Sequence, residues 1–595
     1  MALDQARGST ADSEQPLRRR GDFVRRHWAA ITAPVVYLLG AIWLYWPLFR
    51  HLRSAQMGGP DTSLFTWWLG WTPYAISHGH SPFISTWINA PQGVNAMWNT
   101  SVPLLGVLMA PVTELWGPVA SVNLLLIGAP ALSAWSAFLA ARMLGLRSRS
   151  SFLVGFLYGF STHVIAENSS GHLHLSMAVF PPLVAALLHK ILAGGVSTRK
   201  GGLLLGLAAV LQVWVSEEIL ATSVVLTALV LLVLAIRRSP AEVLEAADKL
   251  VRTVGWALVL VVPIASPALV VQFFGHGHLT SGVPIGGYST DLFTSITPTR
   301  QAWLGALVSD RTMQRIQVGS YDEVTGYVGL PVLVLLLAGR RRIRTSALHW
   351  CWTPLLAAAV LAVGWSVRVA GENLQIRGPA QVMQRLPVLQ NIVSVRFSLY
   401  VVLFAALLVA AAWDSGAVAA PRTQRWTAVL VALAVVAVFP RHSARITRII
   451  QPPALASGKL LPGLPDGSTL AMLPWPNTLD ASAMRWQVVD KLHYKLLGAW
   501  GVVAGPHGEG NYGAPTPELA SVARHLSGHT YDPPPKGGGT ERLLLAEIKI
   551  MSAKAKALVV GPVGDSAQVA SYLTGLLHEQ PTYIGGLYIF RLPVR

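Results

Sequence analysis

The chain has 595 residues, of which 52% are apolar and only 12% charged, and long apolar runs recur from residue 29 to residue 440; this excludes a soluble globular domain and predicts a polytopic membrane protein. The basic surplus, 46 Lys and Arg against 28 Asp and Glu, does not point to nucleic acid, because those charges fall mostly between the apolar runs, as the positive-inside rule requires. The single cysteine, Cys351, excludes an internal disulfide and a metal–thiolate cluster.

Residues 1–28, with "LRRRGDFVRRHW", form a basic tail expected in the cytoplasm. The first apolar run, residues 29–48, "AAITAPVVYLLGAIWLYWPL", ends in aromatic and bulky residues where a cleavage site would have small ones. It is long enough to cross a bilayer, so it predicts a retained span and not a signal peptide. With the N-terminus inside, Asp61 of "AQMGGPDTSLFTWWLGW" emerges on the outer side. The amphipathic stretch "SLFTWWLGWTPYAI" and the proline-broken "SVPLLGVLMAPVTELWG" are then expected to lie in the outer interface without crossing. Further spans at about 119–139, 151–165, 173–190, 202–216, 218–236, 253–273, 326–339, 346–368, 394–413 and 425–440 put every arginine cluster between spans inside. That makes about eleven transmembrane helices.

Composition shifts after residue 440. "DGSTLAMLPWP" reads as a strand stopped by proline, and "KALVVGPVGDSAQVASYLTGLLHEQPTYIGGLYIFRL" as strand, helix and terminal strand. The expected architecture is an all-α polytopic membrane domain over residues 29–440 followed by a soluble α/β domain over residues 441–595. The chain is placed in the inner (plasma) membrane, N-terminus cytoplasmic and C-terminal domain extracytoplasmic.

Ionisable groups at a membrane surface are costly to bury and tend to mark sites, so the outer loops are read together. The first holds Asp61, His78, His80, Asn95 and Asn99; the second, "GFSTHVIAENSSGHLHLSMAVFPP", holds His163, Glu167, His172 and His174; the third runs from about Gly275 to Thr325 and ends in "SYDEVTGYVG", with Asp322 and Glu323. Trp46, Trp67, Trp68, Trp71, Trp87 and Trp98 crowd the same boundary and are read mainly as an aromatic belt.

"GPDTSLFTWWLGW", "SPFISTWINAPQGVN", "NTSVPLLGVLMAPV", "GFSTHVIAENSSGHLHL" and "LPVLQNIVSVRFSLYVVL" together resemble the GT-C superfamily, and more narrowly a bacterial branch of it. An outer loop that opens with an acid after the first span and is followed by a second loop with further acid or histidine is the pattern shared. The resemblance implies a polytopic glycosyltransferase of GT-C type. Its partners would be the bilayer, a polyprenyl-phosphate-linked sugar, and an extracytoplasmic glycan, glycolipid or protein acceptor. Only one acid, Asp61, stands in the first loop, not a pair, so no cofactor is demanded, no metal ligands are assigned, and a divalent cation is left open.

Within that resemblance Asp61 is the catalytic candidate: a carboxylate against apolar walls has a raised pKa suited to taking the acceptor's proton. Its alternative is a helix cap, since "PDTSLF" is a good start signal. The two-residue spacing of His172 and His174 argues against a metal clamp on one helical face; hydrogen bonding to donor phosphate or sugar, or a structural interface role, remain. Glu167 is the second acid of that loop. Arg396 of "VSVRFSLY" stands at the outer start of a span and is expected to meet the phosphate, with snorkelling its rival. Asn95 and Glu218, the latter beside Glu217 in "QVWVSEEIL", complete the substrate-binding set. The competing classes are a transporter or flippase for a lipid-linked glycan and a non-catalytic envelope assembly protein. A transporter predicts broken helices and midplane charges, whereas the polar residues here gather in the outer loops.

Overall fold

The structure is a computed structural model that describes residues 11–283, 287–318, 323–344, 347–386, 389–416, 421–441, 445–456, 458, 460–528 and 538–592; Asp322 lies outside them. Every expected span falls on a helix: Ala11–Leu44, Pro118–Met143, Ser148–Gly159, Leu173–Leu192, Thr198–Val213, Glu217–Ile236, Pro240–Phe274, Leu330–Arg344, Trp352–Ala362, Ser398–Gly416 and Pro421–Val438. Among the described residues five segments are long and apolar enough to cross a membrane: Pro118–Met143, Leu173–Leu192, Glu217–Ile236, Pro240–Phe274 and Ser394–Ser415. They differ in placement. Ser394–Ser415 is 89% buried and forms the centre of the helical body, whereas Glu217–Ile236 and Pro240–Phe274 are 17% and 11% buried and turn apolar side chains such as Val259, Val262 and Val270 outward, the surface a bilayer would cover.

The span expected over 346–368 is shorter than predicted. Its helix stops at Ala362, and Ser366–Val369 pairs antiparallel with Glu372–Arg377. Apolar residues continue through Val369, so hydropathy alone does not see the end. The carboxylate of Asp291, accepting the N–H groups of Ala370 and Gly371 at 2.9 and 2.6 Å, claims that backbone for a hairpin.

The segment after the first helix is tied to the segment that follows the last helix of the helical body. Strand β1 (Ala55–Met57) pairs antiparallel with β2 (Ile446–Arg448). From there the first-loop helix, Pro60–Ser77, starts with proline in its first turn, where no N–H is missed. Trp67, Trp68 and Trp71 on this helix are fully buried and pack with Leu470, Met472 and Trp486 of the C-terminal region. This corrects the belt assignment for those three; Trp46 is half exposed. A helix apolar on all faces has to be covered on all faces, and here protein covers it. The proline-broken segment forms two short helices, Pro103–Leu108 and Ala110–Trp116, with Leu108, Leu115 and Trp116 exposed.

The C-terminal region is α/β. Strands β3 (Ser468–Leu473), β4 (Tyr494–Leu496), β5 (Ala557–Val560), β6 (Thr582–Ile584) and β7 (Leu587–Arg591) form one sheet in the order β6-β7-β5-β3-β4. β3 runs parallel to both β4 and β5, and β7 antiparallel to β5 and β6. β3 and β5 read as continuous apolar runs because both sheet faces are covered. The first-loop helix and Trp486 lie against one face, and helices Glu518–Leu526, Gly538–Ser552 and Ser566–Leu577 against the other.

Candidate active site

Two glycines let the first and second outer loops meet. Gly58 and Gly171 both have positive φ, +81° and +86°; a Cβ on Gly58 would lie 2.8 Å from the Ser170 backbone, and one on Gly171 only 2.0 Å from the Thr62 hydroxyl. No side chain fits either place. Thr62 in turn donates to the Met57 carbonyl at 2.6 Å. The N-terminal turn of the first-loop helix is thereby fixed against the end of the second-loop helix, Thr162–Ser170, and Asp61 faces His172.

The result is a chain of three ionisable groups. His172 Nε2 lies 3.1 Å from Asp61 Oδ2 and its Nδ1 2.6 Å from Glu167 Oε2. When both carboxylates are ionised they can only accept, and the ring between them then carries both protons as an imidazolium. Burial opposes a charged ring, but the hydrogen bonds to Asp61 and Glu167 and their charges raise its pKa well above the ordinary value. The second oxygen of Asp61 accepts the indole N–H of Trp500 at 2.8 Å. Burial pushes the Asp61 carboxyl up, yet His172, Trp500 and the charge of Arg396 outweigh it, and its pKa lies below the ordinary value. The expected raised pKa is thus reversed: the apolar walls are present, but the acid has a cation and two donors. The cap alternative also falls, because the helix N-cap is Gly59 and no side chain caps it.

Behind Glu167 lies Arg396, the first-turn residue of the central helix. Its Nη1 donates to Glu218 Oε2, its Nη2 to Glu323 Oε1 at 2.7 Å, and its Nε lies 4.0 Å from Glu167 Oε1. The anion expected to balance this arginine is therefore supplied first by the chain itself. Side-chain exposure falls from 32% at Asp61 through 16% at His172 to 0% at Glu167, so the relay leads from solvent into the protein. Burial and the charge of Glu323 push Glu167 up to about 7.

Four carboxylates, of Asp61, Glu167, Glu218 and Glu323, face two cations, His172 and Arg396. The excess is negative, and Glu167 Oε1 and Glu323 Oε2 are buried without a hydrogen-bond partner. Glu167, His172 and Glu323 bring one ligand atom each within 4.8 Å of one another. Oxygen donors with unspent lone pairs and a local negative excess fit a divalent cation, with His172 as third ligand once it gives up a ring proton.

Of the residues singled out in the sequence, Asp61, Glu167, His172, Arg396 and Glu218 come together. His174 sits two residues on, its ring 6.3 Å from that of His172 and 5.3 Å from Phe65, its Nδ1 buried without a hydrogen-bond partner. Asn95 is not brought into the cluster: its amide donates to the carbonyls of Val271 and His276 at 2.8 and 3.2 Å and accepts the Met97 N–H. It stands one step behind, since Asn99, which donates to the Asn95 carbonyl, also brackets Val502, two residues past Trp500. Trp500 is not among the sequence candidates, and in the sequence Glu323 reads only as one of a pair with Asp322, open between a substrate contact and a tight turn. Only the glycines flanking Trp500 in "LGAWG" hint at a chain held close to something.

The acid and its buried acid–histidine relay stand at one end of an apolar helical body and are covered by an α/β region. The solved structure of the Archaeoglobus fulgidus oligosaccharyltransferase in complex with Zn and sulfate is similar, with a TM-score of 0.50 at 12% identity over 89% of this chain and 68% of that one. Arabinofuranosyltransferase AftD from Mycobacteria gives a TM-score of 0.48 at 14% identity, over 91% of this chain and 37% of that one. ArnT from Cupriavidus metallidurans, bound to undecaprenyl phosphate, gives 0.39 at 13% identity over 94% and 98%. Among curated proteins no sequence matches. The chain belongs to the family of the domain of unknown function DUF6311, whose profile matches residues 35–440.

Proposed function

We propose that this chain is an integral-membrane glycosyltransferase that moves a sugar from a polyprenyl-phosphate donor to an extracytoplasmic cell-envelope acceptor. One observation carries the reading: the contacts of 3.1 and 2.6 Å that link Asp61, His172 and Glu167, with the outermost acid open to solvent and the innermost buried beside an arginine. Likeness of fold to an oligosaccharyltransferase supports it.

In this mechanism Asp61 takes the proton of the acceptor hydroxyl as the sugar's anomeric carbon leaves phosphate, a single displacement that inverts the centre. Trp500 and His172 hold the carboxylate in orientation. As Asp61 becomes neutral, the imidazolium keeps Glu167 as its counter-ion, so no charge is stranded. Arg396 is aimed by Glu218 and Glu323 and offers its remaining donors where charge builds on the leaving phosphate. His174, with a free ring nitrogen, is the candidate contact to a donor oxygen. A divalent cation held by Glu167 and Glu323, with His172 as a neutral imidazole in that state and no longer an imidazolium, would add positive charge at that phosphate.

The test is transfer by purified protein from a panel of polyprenyl-phosphate sugars, run beside Asp61→Asn. Loss of the base lowers turnover by roughly 10²–10⁴-fold. Wild-type turnover in the variant removes Asp61 from the chemistry, and failure to consume any donor overturns the transferase reading in favour of a transporter or scaffold.

A further inference from the structure

A cavity of about 440 Å³ lies between the first outer loop and the C-terminal sheet, on the side of the first-loop helix away from Asp61. Its floor is made by residues just past the C-terminal ends of the parallel strands β3 and β5, among them Pro474, Trp475 and Gly564. Ligands of open α/β sheets bind in the crevice outside those strand ends. The opposite wall is the start of the first-loop helix, Gly59, Pro60 and Ser63, together with residues of β2.

The charge of this cavity is unusual for its burial. Arg485 lines it and is only 6% exposed. Its Nη1 donates to Gln56 Oε1 and Ser63 Oγ at 2.9 and 3.1 Å, its Nη2 to Ser482 Oγ at 3.2 Å, and its Nε has no partner. All of these partners are neutral. A guanidinium removed from water with no anion hydrogen-bonded to it is costly, and Arg448 and Arg524 line the same space. The charge of Asp480, which also lines the cavity, favours the charged form of Arg485 without outweighing its burial, and one Asp480 oxygen accepts the Ser482 N–H at 2.8 Å. Trp475, 6% exposed with its indole N–H unpartnered, and Trp486 add flat apolar faces. A cavity of this size that mixes aromatic faces with a few convergent donors suits a small, partly apolar ligand.

We propose that this cavity binds an anionic saccharide, a sugar unit carrying a carboxylate or a phosphate, whose anion meets Arg485 and Arg524 and whose ring lies against Trp475. The anion follows from the cavity's own charges; naming the ligand a saccharide, and its role as holding the acceptor glycan, rests on the glycosyltransferase reading. Both anions fit the guanidinium fork in the same way.

The experiment is titration calorimetry on the full-length chain in lipid nanodiscs. The probes are a glucuronate-containing oligosaccharide, a phosphate-substituted oligosaccharide, a neutral glucan of equal length, and inorganic phosphate. Saturable binding of either charged oligosaccharide, tighter than inorganic phosphate and absent for the neutral glucan, supports the site, and the pair that binds tells carboxylate from phosphate. Arg524→Gln, at a partly exposed position, weakens that binding roughly tenfold. Arg485→Gln weakens it further, with near-ultraviolet circular dichroism as the check that the chain is folded. The proposal is overturned if neither charged oligosaccharide binds, if the neutral glucan binds as well, or if Arg524→Gln retains wild-type affinity. Because the readout is binding and not transfer, its failure leaves the role of Asp61 standing, and a failed donor assay leaves the cavity standing.

Discussion

Replacing Trp500 by phenylalanine tests how Asp61 is kept ionised. The substitution keeps an aromatic ring near Tyr512, whose centroid lies 6.3 Å from that of Trp500, and deletes the N–H that reaches Asp61 Oδ1 at 2.8 Å. A hydrogen bond to a charged group contributes roughly 1.5–3 kcal/mol net. With a third of the Asp61 side chain open to water, the lower end applies, about one decade in the balance between carboxylate and carboxylic acid. The sign follows from the mechanism: activity needs the carboxylate and is lost as pH falls through its pKa. Weakening a group that lowers that pKa moves the loss to higher pH. The expected result is a kcat/KM profile whose acid limb shifts upward by about one unit, while turnover on the neutral plateau stays near wild type because His172 still holds the ionised form. Donor consumption against pH, for wild type and Trp500→Phe side by side, reads this directly. An unmoved acid limb, or a plateau that collapses as in Asp61→Asn, refutes the assignment of Trp500 as a positioning residue that acts through the acid's charge.

Gly171→Ala forces a side chain into a left-handed backbone against the Thr62 hydroxyl; a stability loss of roughly 1–3 kcal/mol is expected in thermal unfolding, with transfer falling more than stability because Asp61 and His172 are parted. Arg396→Met leaves Glu218 and Glu323 buried without their cation and destabilises by about 3–5 kcal/mol, read as a drop in unfolding temperature; a variant as stable as wild type would show the ion web to be dispensable. Glu167 is held up to about 7 by burial and by Glu323. A carboxyl raised in the fold contributes stability that is complete below its ordinary pKa and is lost as pH rises through the folded value. Thermal stability of the wild type therefore declines as pH climbs toward about 7, and Glu167→Gln flattens that decline; an equally steep fall in the variant assigns the effect elsewhere.

Much of the cluster was legible because an acid or arginine beside an apolar run costs free energy and so stands out. Asp61, Glu167, Glu218 and Arg396 each carry that mark, and all four converge. Trp500 and Glu323 carry none that composition can see. One lies in a glycine-rich loop and the other beside a second acid, and only the meeting of segments distant in the chain, 439 residues apart for Trp500 and Asp61 and 73 for Glu323 and Arg396, gives them a role. The misread tryptophans have a different cause. Trp67, Trp68 and Trp71 sit on a helix apolar all round, and the pattern is the same whether lipid or a β-sheet covers it. The overextended span at 346–368 fails for a related reason: hydropathy continues across a hairpin whose backbone is claimed by Asp291, a partner distant in sequence. The sign of the Asp61 shift was missed because apolar neighbours are adjacent in the chain while the compensating cation is not.

The indole that steadies the acid belongs to the C-terminal half of the polypeptide, and this limits how the protein can be taken apart. Although composition divides the chain cleanly near residue 440, the hydrogen-bond shell of Asp61 does not divide there. A chimera that joins this helical portion to another protein's C-terminal portion inherits Asp61 stripped of one of its two supports, unless the graft also carries an equivalent of Trp500 and the Asn99-bracketed strand behind it. A transplantable unit therefore has to keep the helical portion, its first helix included, together with the C-terminal portion.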